Sequence, residues 1–346
     1  ASDNLHICAG ILMMYDGDNV VEHGYNLFPE FITLQAQPTG GFMSDGNYSY
    51  VAVYRWTDNN GREHLSAPTA VAPEVTLSAG TSVQSVDVTV PTLRLTNKQD
   101  VVIDIYRTED AGTTYYKVTD SLTPLANDKT VDTLTFTDTL SDADLIAREL
   151  LYTTGGVIEN IAAPSCSLIT LYNNRLAVVG ENSNRVYFSK LIEEGKPVEF
   201  TDLIYKDFDP FGGEISAISA INDKLIVFER DAMLYISGLG PNNLLQQDSF
   251  TDPELIASDI GCLSPDSVVL TPNGLMFKSR KGIWTVGPGL GVEYTGARVE
   301  QFNDRLITSA EIVGELNQIR FTCSEEIALV YNYNLDRWAT FTNHGA

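Results

Sequence analysis

Chemistry near neutral pH most often begins with histidine, and four occur: His6, His23, His64 and His344. None belongs to an H-E-x-x-H pattern or to another spaced pair that would grip a metal ion. A hydrolytic serine would sit on a G-x-S-x-G elbow, and no such elbow is present. Carboxylates are plentiful, but an acid–base pair must be placed in space, which spacing along the chain does not do. Asp16-Gly17-Asp18, and Asp207-Phe208-Asp209 with Glu214, cluster oxygens that a calcium ion would accept. Neither follows the EF-hand order, so both read as solvated turns. Thr108 to Tyr115 (TEDAGTTY) resembles the Asp-box of sialidases, a hairpin turn rather than a catalytic element, so Asp110 is expected to cap backbone N–H groups. Gly287-Pro288-Gly289-Leu290-Gly291 lacks the Lys-Ser/Thr of a phosphate loop and reads as a turn. Asn47-Tyr48-Ser49 fits a glycosylation acceptor by chance. Cys8, Cys166, Cys262 and Cys323 stand far apart with no C-x-x-C pair. They are expected as free, buried, apolar-like thiols made in a reducing compartment. The expectation is no catalytic residue, no cofactor and no metal site.

The elements carrying these residues are short strands. Glu214 to Gly238 reads EISAISAI, Asn222-Asp223, KLIVFE, Arg230-Asp231, AMLYISG, which is strand, tight turn, strand, tight turn, strand. Ile recurs every third residue over Ile215–Ile221, a helical spacing, but its neighbours argue for a strand. The same order returns in SVVLT, Pro272-Asn273-Gly274, LMFKS, Arg280-Lys281-Gly282, IWTVG. It returns again in AEIVG, Glu315-Leu316-Asn317, QIRFTC, Ser324-Glu325-Glu326, IALVYNY. Earlier copies read SLITLY, Asn173-Asn174, RLAVVG, Glu181 to Asn184, RVYFS, and LHICA, Gly10, ILMMY, Asp16-Gly17-Asp18, NVVEHG. Turns recur about every 40 to 50 residues, the period of propeller blades. Tyr331 to Trp338 (YNYNLDRW) resembles a kelch-like blade closure, with Trp338 expected against the next blade.

Between the first copy and the second the grammar changes. YSYVAVYRW (Tyr48–Trp56), SVQSVDVTV, VVIDIYR, TYYKV and TLTFTD alternate and are separated by turns, which fits a fibronectin- or immunoglobulin-like sandwich. Pro38-Thr39-Gly40-Gly41 and Thr153-Thr154-Gly155-Gly156 flank it. The expected plan is a first blade over 1–42, an inserted sandwich over 43–154 and further blades over 155–346. The fold class is thus all-β, propeller-like hairpins interrupted by a sandwich. One short helix is expected at Asp142–Leu151.

Formal net charge is −24, from 46 acidic and 22 basic residues. Such a surface repels nucleic acid and anionic membrane, and no basic patch with interleaved aromatics offsets it. Hydrophobic residues reach 43%, enough for a large core, and no apolar run approaches a membrane span. With neither a leader pattern nor an initiator Met, the chain reads as a processed product, an excised piece or the ordered part of something longer.

Several segments together resemble one family. They are GILMMYDGDNVVEHG (10–24) with FPE (28–30), IYRTEDAGTTYYKV (105–118), LLYTTGGVIENIAAPS (150–165), NNRLAVVGENSNRVYFSK (173–190) and GCLSPDSVVLTPNGLMFKSRKGIWTVG (261–287). They are similar, in content and order, to the tail nozzle proteins of short-tailed bacteriophages, also described as tail tubular protein B-like or hub proteins. The resemblance spans most of the chain. It implies a virion component assembled in the host cytoplasm, without catalytic residues, that forms a hexameric ring below the portal and adaptor and conducts DNA through its lumen. It also implies a propeller with inserted sandwich modules. This chain is shorter than such proteins usually are and offers about five blade-like units, so closure would draw on strands outside it. An acidic conduit wall suits DNA that must slide without sticking. The alternative is a carbohydrate-binding or glycan-cleaving propeller, with Trp284 and Tyr294 stacking on sugar. A third reading is a viral adhesin whose sandwich binds a host receptor.

Overall fold

The computed structural model describes residues 4–342 apart from 182, 247 and 325, so His344, Glu325 of the 324–326 turn and Asn182 of the 181–184 turn lie outside the described residues. The fold is all-β, and nearly every strand pairs antiparallel with its neighbour in sequence. Two compact units emerge: Ala1–Pro164 with Ser189–Leu203 and Asn242–Gln246, and Ser165–Phe188 with Ile204–Pro241 and Gln247–Ala346.

The first unit opens with a three-stranded meander, β1 (Leu5–Ala9), β2 (Ile11–Tyr15) and β3 (Val20–Glu22). Gly10 and Gly17 take φ of +87° and +101° at its turns, a region only glycine enters freely. A sandwich follows: β4 (Thr33–Gln37), β5 (Gly46–Thr57), β6 (Glu63–Leu65), β7 (Glu74–Leu77), β8 (Ser85–Pro91), β9 (Val102–Arg107), β10 (Tyr116–Lys117) and β11 (Thr133–Asp138). One sheet runs β10-β9-β5-β6, with β7 also on β5; the other runs β11-β8-β4. Alternation explains the core. Tyr48, Tyr50, Ala52, Tyr54 and Trp56 of β5 and Ile103 and Ile105 of β9 face Val86, Val88 and Val90 of β8.

Three details correct the sequence reading. The strand Thr33–Gln37, assigned there to the first blade, pairs with Ser85–Thr89 and is an edge of the sandwich. Met14 and Val21 of the opening meander pack into the sandwich core, so that meander rests on the sandwich. The helix expected over Asp142–Leu151 is one turn, α1 (Asp142–Leu145), capped by the Ser141 hydroxyl accepting from Asp144 N. It does not run on because the chain beyond it pairs elsewhere: Lys117 N donates to the Glu149 carbonyl, Leu151 N to the Tyr115 carbonyl, and Arg148 to the Val118 and Thr119 carbonyls; tertiary bonds override helical propensity.

The second unit is four consecutive four-stranded meanders: β12 (Leu168–Tyr172), β13 (Arg175–Val179), β14 (Arg185–Phe188), β15 (Tyr205–Asp207); β16 (Ile215–Ile221), β17 (Lys224–Glu229), β18 (Met233–Ser237), β19 (Glu254–Ala257); β20 (Val269–Thr271), β21 (Gly274–Ser279), β22 (Gly282–Val286), β23 (Val292–Tyr294); and β24 (Ile307–Val313), β25 (Gln318–Cys323), β26 (Ile327–Asn332), β27 (Arg337–Thr342). Successive sheets stack face to face. Ile226, Phe228 and Met233 meet Leu275, Phe277 and Val286, and on the far side of that third sheet Met276 and Ile283 meet Ile319, Phe321 and Leu329. That is why β17 is apolar at successive positions: Leu225, Ile226, Val227 and Phe228 are all 0% exposed, because both faces of the strand are covered. Each such side chain removed from water contributes roughly 1.5–3 kcal/mol.

Candidate functional site

Four places concentrate chemistry or unsatisfied surface. In the first unit a basic cluster forms under the opening meander. The His6 ring lies edge-on to His23 at 5.1 Å, and His23 lies edge-on to Phe200 at 5.4 Å. His64 Nε2 is 3.2 Å from Asp58 Oδ2, and its ring is 5.1 Å from Trp56. Lys98, wholly buried, donates to the carbonyls of Glu22 (2.6 Å) and Gly24 (2.7 Å) and stands 3.1 Å from the Glu22 carboxylate, over the rings of Tyr25 and Trp56.

Burial dominates the acid–base behaviour of this cluster. It lowers His6 to about 4, with the fields of His64 and Arg62 adding to it. Burial also holds His23 and His64 below the usual histidine range, and brings Lys98 down to about 8. Spacing alone hid this grouping, since the histidines sit 17 and 41 residues apart in sequence. Among the described residues no group of three His, Cys, Asp or Glu side chains has the geometry of a metal site.

The candidate ion and sugar residues fall elsewhere. Asp16 uses Oδ1 to accept from the N–H groups of Asp18 and Asn19, and Oδ2 to accept from Asn59 N. Asp207 pairs with Arg185 at 2.5 Å. Asp110 Oδ1 accepts from Asn47 N at 2.8 Å, a cap reaching across strands rather than within its own turn. Asn47-Tyr48-Ser49 lies inside β5 with Tyr48 buried. Gly287–Gly291 is the turn between β22 and β23, closed by Gly287 N donating to the Gly291 carbonyl. No disulfide forms among the described residues; Cys166, Cys262 and Cys323 are buried, whereas Cys8 is half-buried.

Trp284 and Tyr294 pack against each other with ring centroids 4.9 Å apart and planes tilted by 38°, and Trp284 also packs against the cluster that holds Phe277. Trp338 packs on Tyr331 and Phe321 of its own sheet and donates its indole N–H to the Thr295 carbonyl, 3.1 Å away. It therefore ties the last sheet back to the preceding one rather than on to a next one. Between those two sheets runs a groove of about 320 Å³ edged by Glu293, Arg298, Tyr331, Tyr333, Asp336 and Trp338. Its polar groups are partly spent on each other: Tyr331 donates to Asp336, and Arg298 to the Asp336 carbonyl.

A third feature is a surface. The cross-strand rows Leu5–Tyr15–Val20, Ile7–Met13 and Ala9–Ile11 put seven apolar side chains on one face of the opening meander, and Met13 pairs next with Glu22. Leu5 is 59% exposed, Ile11 58% and Val20 52%. An exposed, continuous apolar sheet face is the usual mark of an interaction surface. The fourth feature is a buried Lys190–Asn160–Glu199 group, which no sequence motif announces.

No protein-family model and no curated protein sequence matches the chain. Among solved structures it is similar to PorZ, described as an essential bacterial surface component of the type-IX secretion system of Porphyromonas gingivalis, at 11% identity and a TM-score of 0.33. That alignment covers 99% of this chain and 63% of PorZ, so the chain spans less than two thirds of that protein's length.

Proposed function

We propose that this chain is a structural subunit of a bacteriophage tail, a nozzle or hub protein that assembles into an oligomeric ring through which DNA passes. It performs no catalysis. Its partners are further copies of itself, the portal and adaptor above it and other tail proteins; it inserts into no membrane, and DNA is met only in transit. The observation that supports this reading best is the apolar face of the β1–β3 meander on a chain of net charge −24. A strongly acidic subunit repels its own copies, so assembly needs uncharged contact surface, and this sheet face supplies it. Several charged groups of the first unit agree with this reading, because Arg107 with Asp138 and Asp142, and Asp104 with Arg55 and Lys117, are tied into ion pairs. The family-like segments and the acidic surface, over which a polyanion slides without adhering, agree with it.

Light scattering and negative-stain microscopy of the purified protein test the reading. Closed oligomers are expected from the native chain, and Ile11→Asp is expected to reduce them to monomers while leaving the fold intact. A native chain that stays monomeric at high concentration and is absent from tail particles would sink it.

A further inference from the structure

Lys190 is 1% exposed, and its ion pair among the described residues is with Glu199 Oε2 at 3.5 Å. The same Nζ is 2.5 Å from the Asn160 side-chain oxygen and 2.6 Å from the Ile158 carbonyl. Asn160 is itself 6% exposed; its Nδ2 donates to Glu199 Oε1 at 2.8 Å and to the Leu65 carbonyl at 3.1 Å. The Tyr152 hydroxyl accepts from Asn160 N at 2.9 Å, and the Tyr152 ring lies under the lysine nitrogen at 5.6 Å. One carboxylate therefore faces both the amine and the amide nitrogen, and the amine already touches the carboxamide.

We propose that Lys190 and Asn160 join in an intramolecular isopeptide bond, with Glu199 carrying the proton between them. The step needs no oxidant and no cofactor. Lys190 gives a proton to Glu199, and the neutral Nζ attacks Cγ of Asn160. A new Nζ–Cγ bond forms, Glu199 returns its proton to Nδ2, the Cγ–Nδ2 bond breaks, and one ammonia leaves, taking up the remaining proton as ammonium. Each part of the arrangement serves that step. Burial, with a cost for the charged amine, lowers the Lys190 pKa and so favours the nucleophilic form. Contact between fixed groups replaces a bimolecular encounter. Burial of Lys190 and Asn160 limits water at the new bond, while Glu199, a quarter exposed, leaves the ammonia a way out. The bond would join two segments of the first unit, the one carrying Asn160 and the one carrying Lys190, and close a covalent loop whose intervening residues Ser165–Phe188 belong to the second unit; no disulfide is found among the described residues.

Intact mass spectrometry of the denatured full chain, followed by protease mapping, tests this. The native protein is expected one ammonia lighter than its sequence mass and to yield a branched peptide joining the regions around Asn160 and Lys190. Asn160→Ala and Lys190→Met are each expected to restore the full mass and remove the branched peptide. Glu199→Gln is expected to do the same while keeping a cooperative melt, which separates proton transfer from folding. A native chain of full mass with no branched peptide overturns the proposal, whether or not any variant folds. A branched peptide that survives Glu199→Gln overturns the role given to Glu199.

Discussion

In the first unit buried Arg107 and Asp104 meet opposite charges; in the second buried Arg175 and Lys278 meet backbone carbonyls. Arg107, 0% exposed, holds Asp138 at 2.7 Å and Asp142 at 2.7 Å, while Tyr50 donates to the same Asp138. Asp104 takes both Arg55 at 2.6 Å and Lys117 at 2.8 Å. The second unit has no such buried pair among its described residues. Arg175, 0% exposed, donates to the carbonyls of Leu239 and Pro241, and Lys278 to those of Ser279 and Asn303. Buried Glu229 accepts from Gly212 N, and burial raises its pKa. The difference follows from architecture. A two-layer sandwich leaves rims where long side chains cross between sheets and meet each other. Stacked meanders fill their interfaces with aliphatic and aromatic groups, so a charged side chain reaches only the turns. Paired charges depend on both partners and on pH, whereas a cation on carbonyls answers mainly to the shape of the turn it clasps.

The largest expected effect breaks the first arrangement at its centre. Arg107→Ala leaves Asp138 and its hydrogen-bonded Tyr50 in the sandwich without a counter-charge. Removing one member of a buried pair costs about 3–5 kcal/mol. Urea melts should show the first unit unfolding at much lower denaturant while the second keeps its native midpoint, with Trp56 reporting one and Trp284 with Trp338 the other. A loss shared equally by both transitions would show that the units do not unfold separately and would erase the contrast.

The next effect comes from pH. The folded pKa of His6 is lowered from the ordinary 6.5 to about 4, and His23 and His64 move the same way. For a histidine with a depressed folded pKa the unfolded chain binds the proton more tightly. The stabilisation is therefore complete above pH 6.5 and drains away as pH falls toward 4. Each tenfold difference in proton affinity between the folded and unfolded chain is worth about 1.4 kcal/mol, so His6 alone accounts for roughly 3 kcal/mol. Glu22 and Asp58 carry the loss further, because ion pairing and hydrogen bonds hold both carboxyls below their ordinary values. The first unit should thus weaken steeply between pH 6.5 and 4 and the second much less, since its described residues include no histidine. Equal urea midpoints for the first unit at pH 7 and pH 4.5 would refute the assignment.

How much of this was readable beforehand varies with the range of the interaction. Hairpins are local, so Asn222, Asn273-Gly274 and Asn317 marked their turns correctly, and the alternation of Tyr48 to Trp56 disclosed a half-buried strand. Partners were not readable. Thr33–Gln37 looks like the tail of the first meander until Ser85–Thr89 is seen beside it, and nothing local tells a strand which edge it will join. Histidines that are strangers in sequence became neighbours because β1, the residue after β3, β6 and the loop holding Lys98 converge. Lys190 reads as the polar end of YFSK, and only the fold places Asn160 and Glu199 against it.

The smallest effect sharpens the comparison by testing a charge pair where burial is absent. Arg185 grips Asp207 through two nitrogens, at 2.5 and 2.9 Å, and lies over the Tyr205 ring at 3.8 Å, yet the two side chains remain 37% and 60% exposed. Arg185 meets one carboxylate with two nitrogens in solvent, whereas Arg107 meets two carboxylates, Asp138 and Asp142, out of solvent. Water screens the attraction and solvates either partner once the other is gone, which leaves a contribution of about 0–1 kcal/mol. Asp207→Asn should therefore move the second unit's urea midpoint barely, and added salt should shrink even that difference. If Asp207→Asn instead rivals Arg107→Ala, bidentate geometry rather than burial sets the strength of these pairs, and the contrast between the two units would lose its physical basis.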